Sequence, residues 1–368
     1  MKLTVTKESF LRALERCATA TEATTIACTQ CVLLGANSDD TLQLTSTNLV
    51  LTVDTAIVAK IQTQGSLAVN CAKLIALVRA LPNEAGVTLL GEDGGGRLTV
   101  TSGTRKYVLA SLPASDFPAI AEPKKTDARI QITSSQLQRL IARTEYAADS
   151  GRVLLNVVRL LATSDQITAM ALGTAMFAVA AEKPEAPLSA DESADITVPR
   201  PFLKPLIAML AGVAGSERVE LISSKTHLYA ETEDTLVAVL QAAEQFTQWD
   251  KMLEASRTGA REICAIHCVD LVAALRAVTA VRTDDPVSLV IAPDDETLTL
   301  SVASAEYNAD DKIQVKGASE ALACKANPVY LTDTLKAVNS NFKLSVNDTA
   351  LIFDNGEGFM AALSQVLT

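Results

Sequence analysis

Six segments of the chain share one pattern: an alternating strand runs directly into a helix whose apolar residues lie three to four apart. Three of them are "LTVTKESFLRALERC" from Leu3, "IQITSSQLQRLIART" from Ile130 and "CAIHCVDLVAALRAV" from Cys264. In these, Phe10, Leu137 and Leu271 correspond, as do Leu14, Ile141 and Leu275. Between them lie "LAVNCAKLIALVRAL" from Leu67, "ITVPRPFLKPLIAML" from Ile196 and "LACKANPVYLTDTLKAV" from Leu322. Such a period constrains the fold strongly, because a single repeat cannot bury its apolar face alone and must stack on its neighbours. After each helix come alternating stretches broken by turn residues: "GANSDDTLQL", "GEDGGGRLTV", "ATSDQITAM", "SSKTHLYAE", "APDDETLTL" and "VNDTALIF". Asp, Asn, Ser and Gly at the tips make these β-hairpins. The expected unit is a strand, a helix and then three strands, recurring at roughly 60-residue spacing, with pairs of units making domains of ordinary size.

The helices are expected at 7–17, 72–81, 134–146, 200–211, 269–281 and 329–340. One apolar stripe of each covers a sheet, leaving the other face for something else. Those other faces hold Ala76, Ala142, Ala208, Ala273, Ala277 and Ala337. The helices carry Lys7, Arg12, Arg16, Lys73, Arg79, Arg139, Arg143, Arg200, Lys204, Arg276 and Lys336, against Glu8, Glu15, Glu145, Asp270 and Asp333. They are therefore net basic in a chain whose total charge is −11. An acidic total argues against nucleic acid unless the bases are gathered on one surface, and a shared helix face is the expected place for them. Small and basic side chains facing one way suit a surface that tracks phosphate without reading bases. The plainer reading, that Lys and Arg are good helix formers, accounts for a modest excess only.

Other signals exclude function classes. "GEDGGGR" is Gly-rich, but no Gly-Lys-Ser/Thr and no helix follow it, so it is a hairpin turn and not a phosphate cradle. "CTQC" (Cys28, Cys31) lacks a matching second pair, and "CAIHC" (Cys264, His267, Cys268) lies beside apolar strand-like residues. Neither pattern calls for a metal or a cofactor, and none is expected. The odd count of seven cysteines suits a reducing compartment. "MKLTVTKESF" has no apolar signal region, and the longest apolar run, Ala169 to Ala181, is too short for a bilayer. A soluble, cytoplasmic protein without membrane contact is expected. No His sits among convergent carboxylates and no nucleophile elbow occurs, so an enzyme is not expected.

"SLPASDFPAI" (Ser111 to Ile120) follows the alternating "RKYVLA". Pro113 and Pro118 cannot donate to a ladder, so the strand ends here, yet Leu112, Phe117 and Ile120 are apolar. Together with "MKLTVTKESFLRAL", "LTSTNLVLTV", "RVLLN" and "ITVPR", this stretch resembles the bacterial DNA polymerase III beta subunits, the sliding clamps. The resemblance runs nearly end to end, and "LPASDFP" is its most specific part.

The resemblance implies an α+β clamp fold of three similar domains, 1–121, 122–254 and 255–368, closing head to tail as a homodimeric ring around double-stranded DNA. "LPASDFP" is then the first connector, and "QAAEQFTQWDKML" (Gln241 to Leu253), with Phe246 and Trp249, is the second. Contact with DNA is expected from Arg12, Arg16, Lys73, Arg79, Arg139, Arg143, Lys204, Arg276 and Lys336, and from Arg152 before the "LLN" match. The interface is expected to bring Tyr107 and Leu109 against Ala280 and Val281 of the partner subunit. DNA polymerase and clamp-loader subunits would dock through short apolar peptides in a groove formed by Leu155, Leu172, Thr174, Met176, Phe177, Thr247, Met252, Met360 and Ala362. Neighbouring strand residues face opposite ways, so one of Met176 and Phe177 is expected in the groove wall, with Phe177 favoured. The chain departs from the family at Leu172 to Ala178, where the usual Thr-Asp-Gly-His-Arg-Leu-Ala has no polar counterpart beyond Thr174. It departs again at Ala23 to Thr29, where an Arg-x-Thr-x-Pro-Ile-Leu loop is without its base. These departures keep a second reading open: a ring-shaped scaffold or regulator with non-replicative partners.

Overall fold

The computed structural model describes the chain apart from residues 22–25, 83–85, 93, 95, 119–122, 125–127, 185–193, 212–213, 242–247, 282–283, 293–295, 305 and 367–368, and the side chain of Val153. Six helices fall where the repeat places them: α1 (Lys7–Ala18), α2 (Cys71–Arg79), α3 (Ser134–Thr144), α4 (Arg200–Leu210), α6 (Cys268–Val278) and α7 (Pro328–Val338). A further one, α5 (Trp249–Arg257), occupies what the sequence presented as a connector. Several starts are encoded locally. The side chains of Thr6, Asn70 and Asn327 accept hydrogen bonds from the first-turn amides of α1, α2 and α7, satisfying groups that the helix itself leaves unpaired. Asn339, at φ 45°, ends α7 in the left-handed conformation that Asn tolerates.

All strand pairs among the described residues are antiparallel, and their order explains why the units come in twos. The first strand of each unit pairs with the hairpin strands of its sister. Lys2–Val5 lies on Val87–Gly91, and Gly65–Asn70 on Cys31–Ala36. Ala128–Thr133 lies on Arg218–Ser223, and Ala194–Pro199 on Val157–Ala162. Arg261–Ile266 lies on Phe342–Val346, and Leu322–Ala326 on Val287–Ala292. This exchange fuses two units into one domain, giving three repeated α+β domains.

The last strands of the units do something else. Leu51–Val58 of the first unit pairs with Thr235–Leu240 of the fourth. Met176–Glu182 of the third pairs with Phe359–Ser364 of the sixth. Sheets of thirteen and eight strands result. The two compact bodies of the chain, 1–135 with 201–243 and 136–200 with 244–368, each contain one of these joins. The last strands of units two and five are left over. Arg105–Pro113 pairs with Gly96–Ser102 through Arg105 to Ser111 and with Gly65–Asn70 only through Ser111 to Pro113. Asn308–Gln314 pairs only with Thr297–Ala303 among the described strands. Arg105 to Ala110 and Asn308 to Gln314 thus present open edges.

Inward alternation along these strands supplies the core. In the first body Phe10 and Leu14 of α1 are fully buried, as are Leu3, Leu34, Leu42, Leu44, Leu67, Leu74 and Leu89. Each contributes about 1.5–3 kcal/mol relative to exposure. Ala76, Ala142, Ala208, Ala273 and Ala277 remain at least partly accessible, whereas Ala337 is buried. No described helix is long and apolar enough to cross a membrane.

One polar cluster pins α1 to the first join. Arg16 is only 6% exposed. Its Nη1 donates to Asp234 Oδ2 at 3.1 Å, to Thr235 Oγ1 at 2.9 Å and to Thr55 Oγ1 at 3.5 Å. Thr55 and Thr235 are register partners across the join, with hydroxyls 2.8 Å apart. Burial pushes the Asp234 carboxyl up, but hydrogen bonds from Thr235, Arg16 and Thr232 and the guanidinium charge outweigh this and hold it below the usual carboxylate range. Asp234→Ala leaves the guanidinium with hydroxyl partners alone and should cost about 2 kcal/mol in urea unfolding. Because the folded carboxyl is the more acidic one, its contribution is complete above about pH 4 and disappears as pH falls through the lower folded value. The Asp234→Asn protein should lack that part of the acid dependence.

Candidate partner groove and DNA-facing helices

Register across the second join assembles an apolar face. Leu172 opposes Phe177, which opposes Ala362, and Met170 opposes Val179, which opposes Met360. These residues form one buried cluster with Val157, Ala350, Ile352 and Trp249, and Leu155, Leu161, Met252 and Leu253 pack against it. Helix α5 therefore lies on this face, held by Trp249. Asn347 fixes its far end: Nδ2 donates to Ser256 O at 3.3 Å, while Oδ1 accepts from the amides of Thr349 and Ala350.

Between helix and sheet lies a cavity of about 140 Å³. Six of the residues expected in the groove line it: Leu172, Thr174, Met176, Phe177, Met252 and Ala362. Leu155 and Met360 belong to the apolar cluster without lining the cavity. Thr247 and Phe246 lie outside the described residues, as do Ala23, Thr24, Thr25 and Ile120. Both Met176 and Phe177 border the cavity, while the ladder register sets Met176 opposite Leu363 and Phe177 opposite Ala362. Phe177 is also core, at 4% exposure. The sequence reading missed Gly173, Ala175, Ala255, Ser256, Asn347, Thr349, Ala350 and Ser364, which complete the lining. The available signal was the spacing of Trp249, Met252, Leu253 and Ser256, which is a helical stripe.

The expected DNA-facing bases divide into three groups. Arg16 does not belong among them, because it is buried in the α1 cluster and its charge is committed to Asp234. Four others are exposed but paired: Arg12 with Glu8 at 3.2 Å, Arg79 with Glu15 at 2.8 Å, Arg139 with Glu182 through two bonds of 2.7 and 2.6 Å, and Lys336 with Asp333 at 3.0 Å. Lys73, Arg143, Arg152, Lys204 and Arg276 have no carboxylate partner among the described residues. Lys73 also borders a cavity of about 430 Å³ beside the open strand, together with Cys31 and Val108 to Leu112. On that strand Tyr107 and Leu109 are half-buried. Ala280 and Val281 are exposed, Val281 at 68%.

Six of the cysteines are held as thiols. Burial pushes Cys71 and Cys264 up to about 12 and Cys324 up to about 11. It also raises Cys17, Cys31 and Cys268. Ligation and disulfide exchange need the thiolate, so these positions serve as small apolar side chains. No group of three or more His, Cys, Asp or Glu among the described residues is placed to hold a metal ion.

Residues 1–121 match the family described as DNA polymerase III beta subunit, N-terminal domain. The beta sliding clamp of Synechococcus elongatus is 26% identical over 315 residues, 84% of this chain and 82% of that protein. A beta sliding clamp from Vibrio harveyi is 32% identical over 114 residues, 30% of this chain and 74% of that protein. The chain belongs to the bacterial DNA polymerase III beta subunit family. The crystal structure of the subunit from Pseudomonas aeruginosa covers 100% of both chains at 21% identity, with a TM-score of 0.89, so the fold extends beyond the matched first third.

Within the family's fold, Phe177 carries both the core and the cavity wall. Phe177→Ala should lower stability by about 3–5 kcal/mol. Met176→Ala, at a half-buried strand start, should cost under about 1.5 kcal/mol. Urea denaturation of the two variants checks the difference.

Proposed function

We propose that this chain is a sliding clamp: two copies close head to tail around duplex DNA and tether DNA polymerase and other replication proteins through short apolar peptides. The observation that carries the reading is the pairing of last strands. In each chain four of the six are paired with one another across joins, and those of units two and five are left with open edges. An open edge is a template for another chain. The two edges differ in charge, since Arg105 and Lys106 lie on one, whereas Asp310 and Asp311 with Lys312 leave the other with one net negative charge. Unlike edges favour a heterologous contact, which forms a ring when the rotation closes. Tyr107 and Leu109 on the first edge, and Ala280 and Val281 after α6, supply its apolar part. In this reading the domains are 1–121, 122–254 and 255–368, and no reaction is catalysed.

The electrostatics fit retention by topology. With Arg16 buried and four bases paired, the helices offer DNA a sparse set of cations: Lys73, Arg143, Lys204 and Arg276, with Arg152 nearby. Weak, sequence-independent phosphate contact permits sliding. The apolar cavity at the second join supplies the tether.

Two measurements test this. Light scattering at micromolar concentration should give twice the mass of the chain, and Val281→Asp should shift it toward the monomer. On primed circular DNA, with polymerase and clamp loader from the same host, the wild-type protein should lengthen the products and the Val281→Asp protein should not. Product lengths unchanged by a dimeric wild-type protein would favour the scaffold reading. For the inner face, Lys204→Gln and Arg276→Gln should each shallow the slope of log affinity against log salt by about 0.9 for every phosphate no longer neutralised. Arg12→Gln, whose charge already meets Glu8, should change it less.

A further inference from the structure

The two last strands with open edges are each tied to the helix of their own unit, and at corresponding places. In unit two, Arg105 opens the strand Arg105–Pro113, and its Nη1 donates to Ala80 O at the C-terminal end of α2. In unit five, Tyr307 immediately precedes the strand Asn308–Gln314, and its hydroxyl donates at 3.2 Å to the carbonyl of Val278, the last residue of α6. Both sit where a hairpin closes, since Ser102 pairs with Arg105 and Ala303 with Asn308. A helix leaves its last carbonyls without intrahelical donors. A side chain that supplies the donor from an adjoining strand therefore fastens that strand to the helix end.

Each tie is supported from a second side. Lys7 Nζ donates to Arg79 O at 3.2 Å and to Leu81 O at 2.5 Å, on either side of Ala80. Ser304 holds Tyr307 in a turn: its amide donates to Tyr307 O at 2.8 Å, and its Oγ accepts from Tyr307 N at 3.1 Å. What is fastened is the surface that ring closure uses. On one side it is the strand of Tyr107 and Leu109, and on the other the strand of Asp310 and Asp311 together with Ala280 and Val281 just beyond Val278. A strand paired on one side only is prone to open locally, and a surface that must be ordered before it can bind loses affinity to that cost. We infer that Arg105 and Tyr307 are positioning residues for ring closure, each holding an open strand and its helix end as one preformed surface for the partner subunit. This rests on the closure reading above and adds what keeps the edges ready.

The test uses the full-length protein and the variants Tyr307→Phe, which removes only a hydroxyl, and Arg105→Gln. Sedimentation velocity over a dilution series gives the dimer dissociation constant. Loss of one such bond should weaken each interface about fivefold, and the two equivalent interfaces of a closed dimer make that about 25-fold in the constant. The rise should persist in roughly 1 M sodium chloride, where edge charge is screened within about 3 Å. In a Val281→Asp background, which is expected to be monomeric, Tyr307→Phe should speed amide exchange at 308–314 and leave the rest of the chain unchanged. A monomeric wild type at micromolar concentration would overturn the closure reading, and the inference with it. A dimeric wild type whose dissociation constant is unchanged in both variants would overturn the inference and leave closure standing. Exchange that quickens throughout the chain would make the hydroxyl a general stabiliser and overturn its positioning role, and an Arg105→Gln effect abolished by salt would do the same for Arg105.

Discussion

The ladder that joins last strand to last strand is the constraint from which the rest follows. Leu51–Val58 on Thr235–Leu240 and Met176–Glu182 on Phe359–Ser364 are ordinary antiparallel pairs, yet they connect domains and not strands of one domain. Backbone hydrogen bonds have fixed spacing, so a junction made this way has little freedom to hinge. It also fixes what lies on each face. At the second join the rows on one face alternate small with large, as in Val158–Ala171–Ala178–Ala361 and Leu160–Ala169–Ala180–Phe359, while Leu172–Phe177–Ala362 and Met170–Val179–Met360 lie on the other. The latter face collects α5 and the cavity.

The two joins are chemically unlike. The first is pinned by a buried guanidinium among Thr55, Thr235 and Asp234, the second by packing around Trp249 and Phe177. Only the guanidinium is buried, since the Asp234 side chain is 46% exposed, so losing the carboxylate leaves a buried charge with hydroxyl partners alone. Arg16 thereby ties α1 to this strand pair.

That distinction also marks where the sequence could be read. Helix starts, hairpin tips and the sixfold period are local signals, carried by residues such as Thr6, Asn70 and Asn327, and the structure follows them closely. The exchange of first strands between sister units left no local trace. Arg16 sits at a helix position like those of its basic neighbours, and only Asp234, more than two hundred residues on, shows that its charge is spent inside. The same holds for Arg139, whose partner Glu182 lies on a strand after an intervening hairpin. Helix α5 was legible, since Trp249, Met252, Leu253 and Ser256 have helical spacing, but likeness to the first connector drew attention to its aromatic residues instead.

The paired cations bear on how a clamp of this kind holds DNA. Each guanidinium that meets a carboxylate offers less to a phosphate, and the chain as a whole repels the duplex at net charge −11. Affinity for DNA is then a poor means of retention, and in the proposed ring the burden moves to closure at the two open edges. In that reading the edges would have to stay shut during sliding and still yield to a loader. A strand with Arg105, Lys106 and the half-buried Tyr107 and Leu109 would provide intermediate adhesion: a few ladder bonds, a small apolar contact and a screened charge complement. Strengthening the inner face with more bases would add friction without securing the ring, whereas one extra apolar residue at the edge would secure it directly.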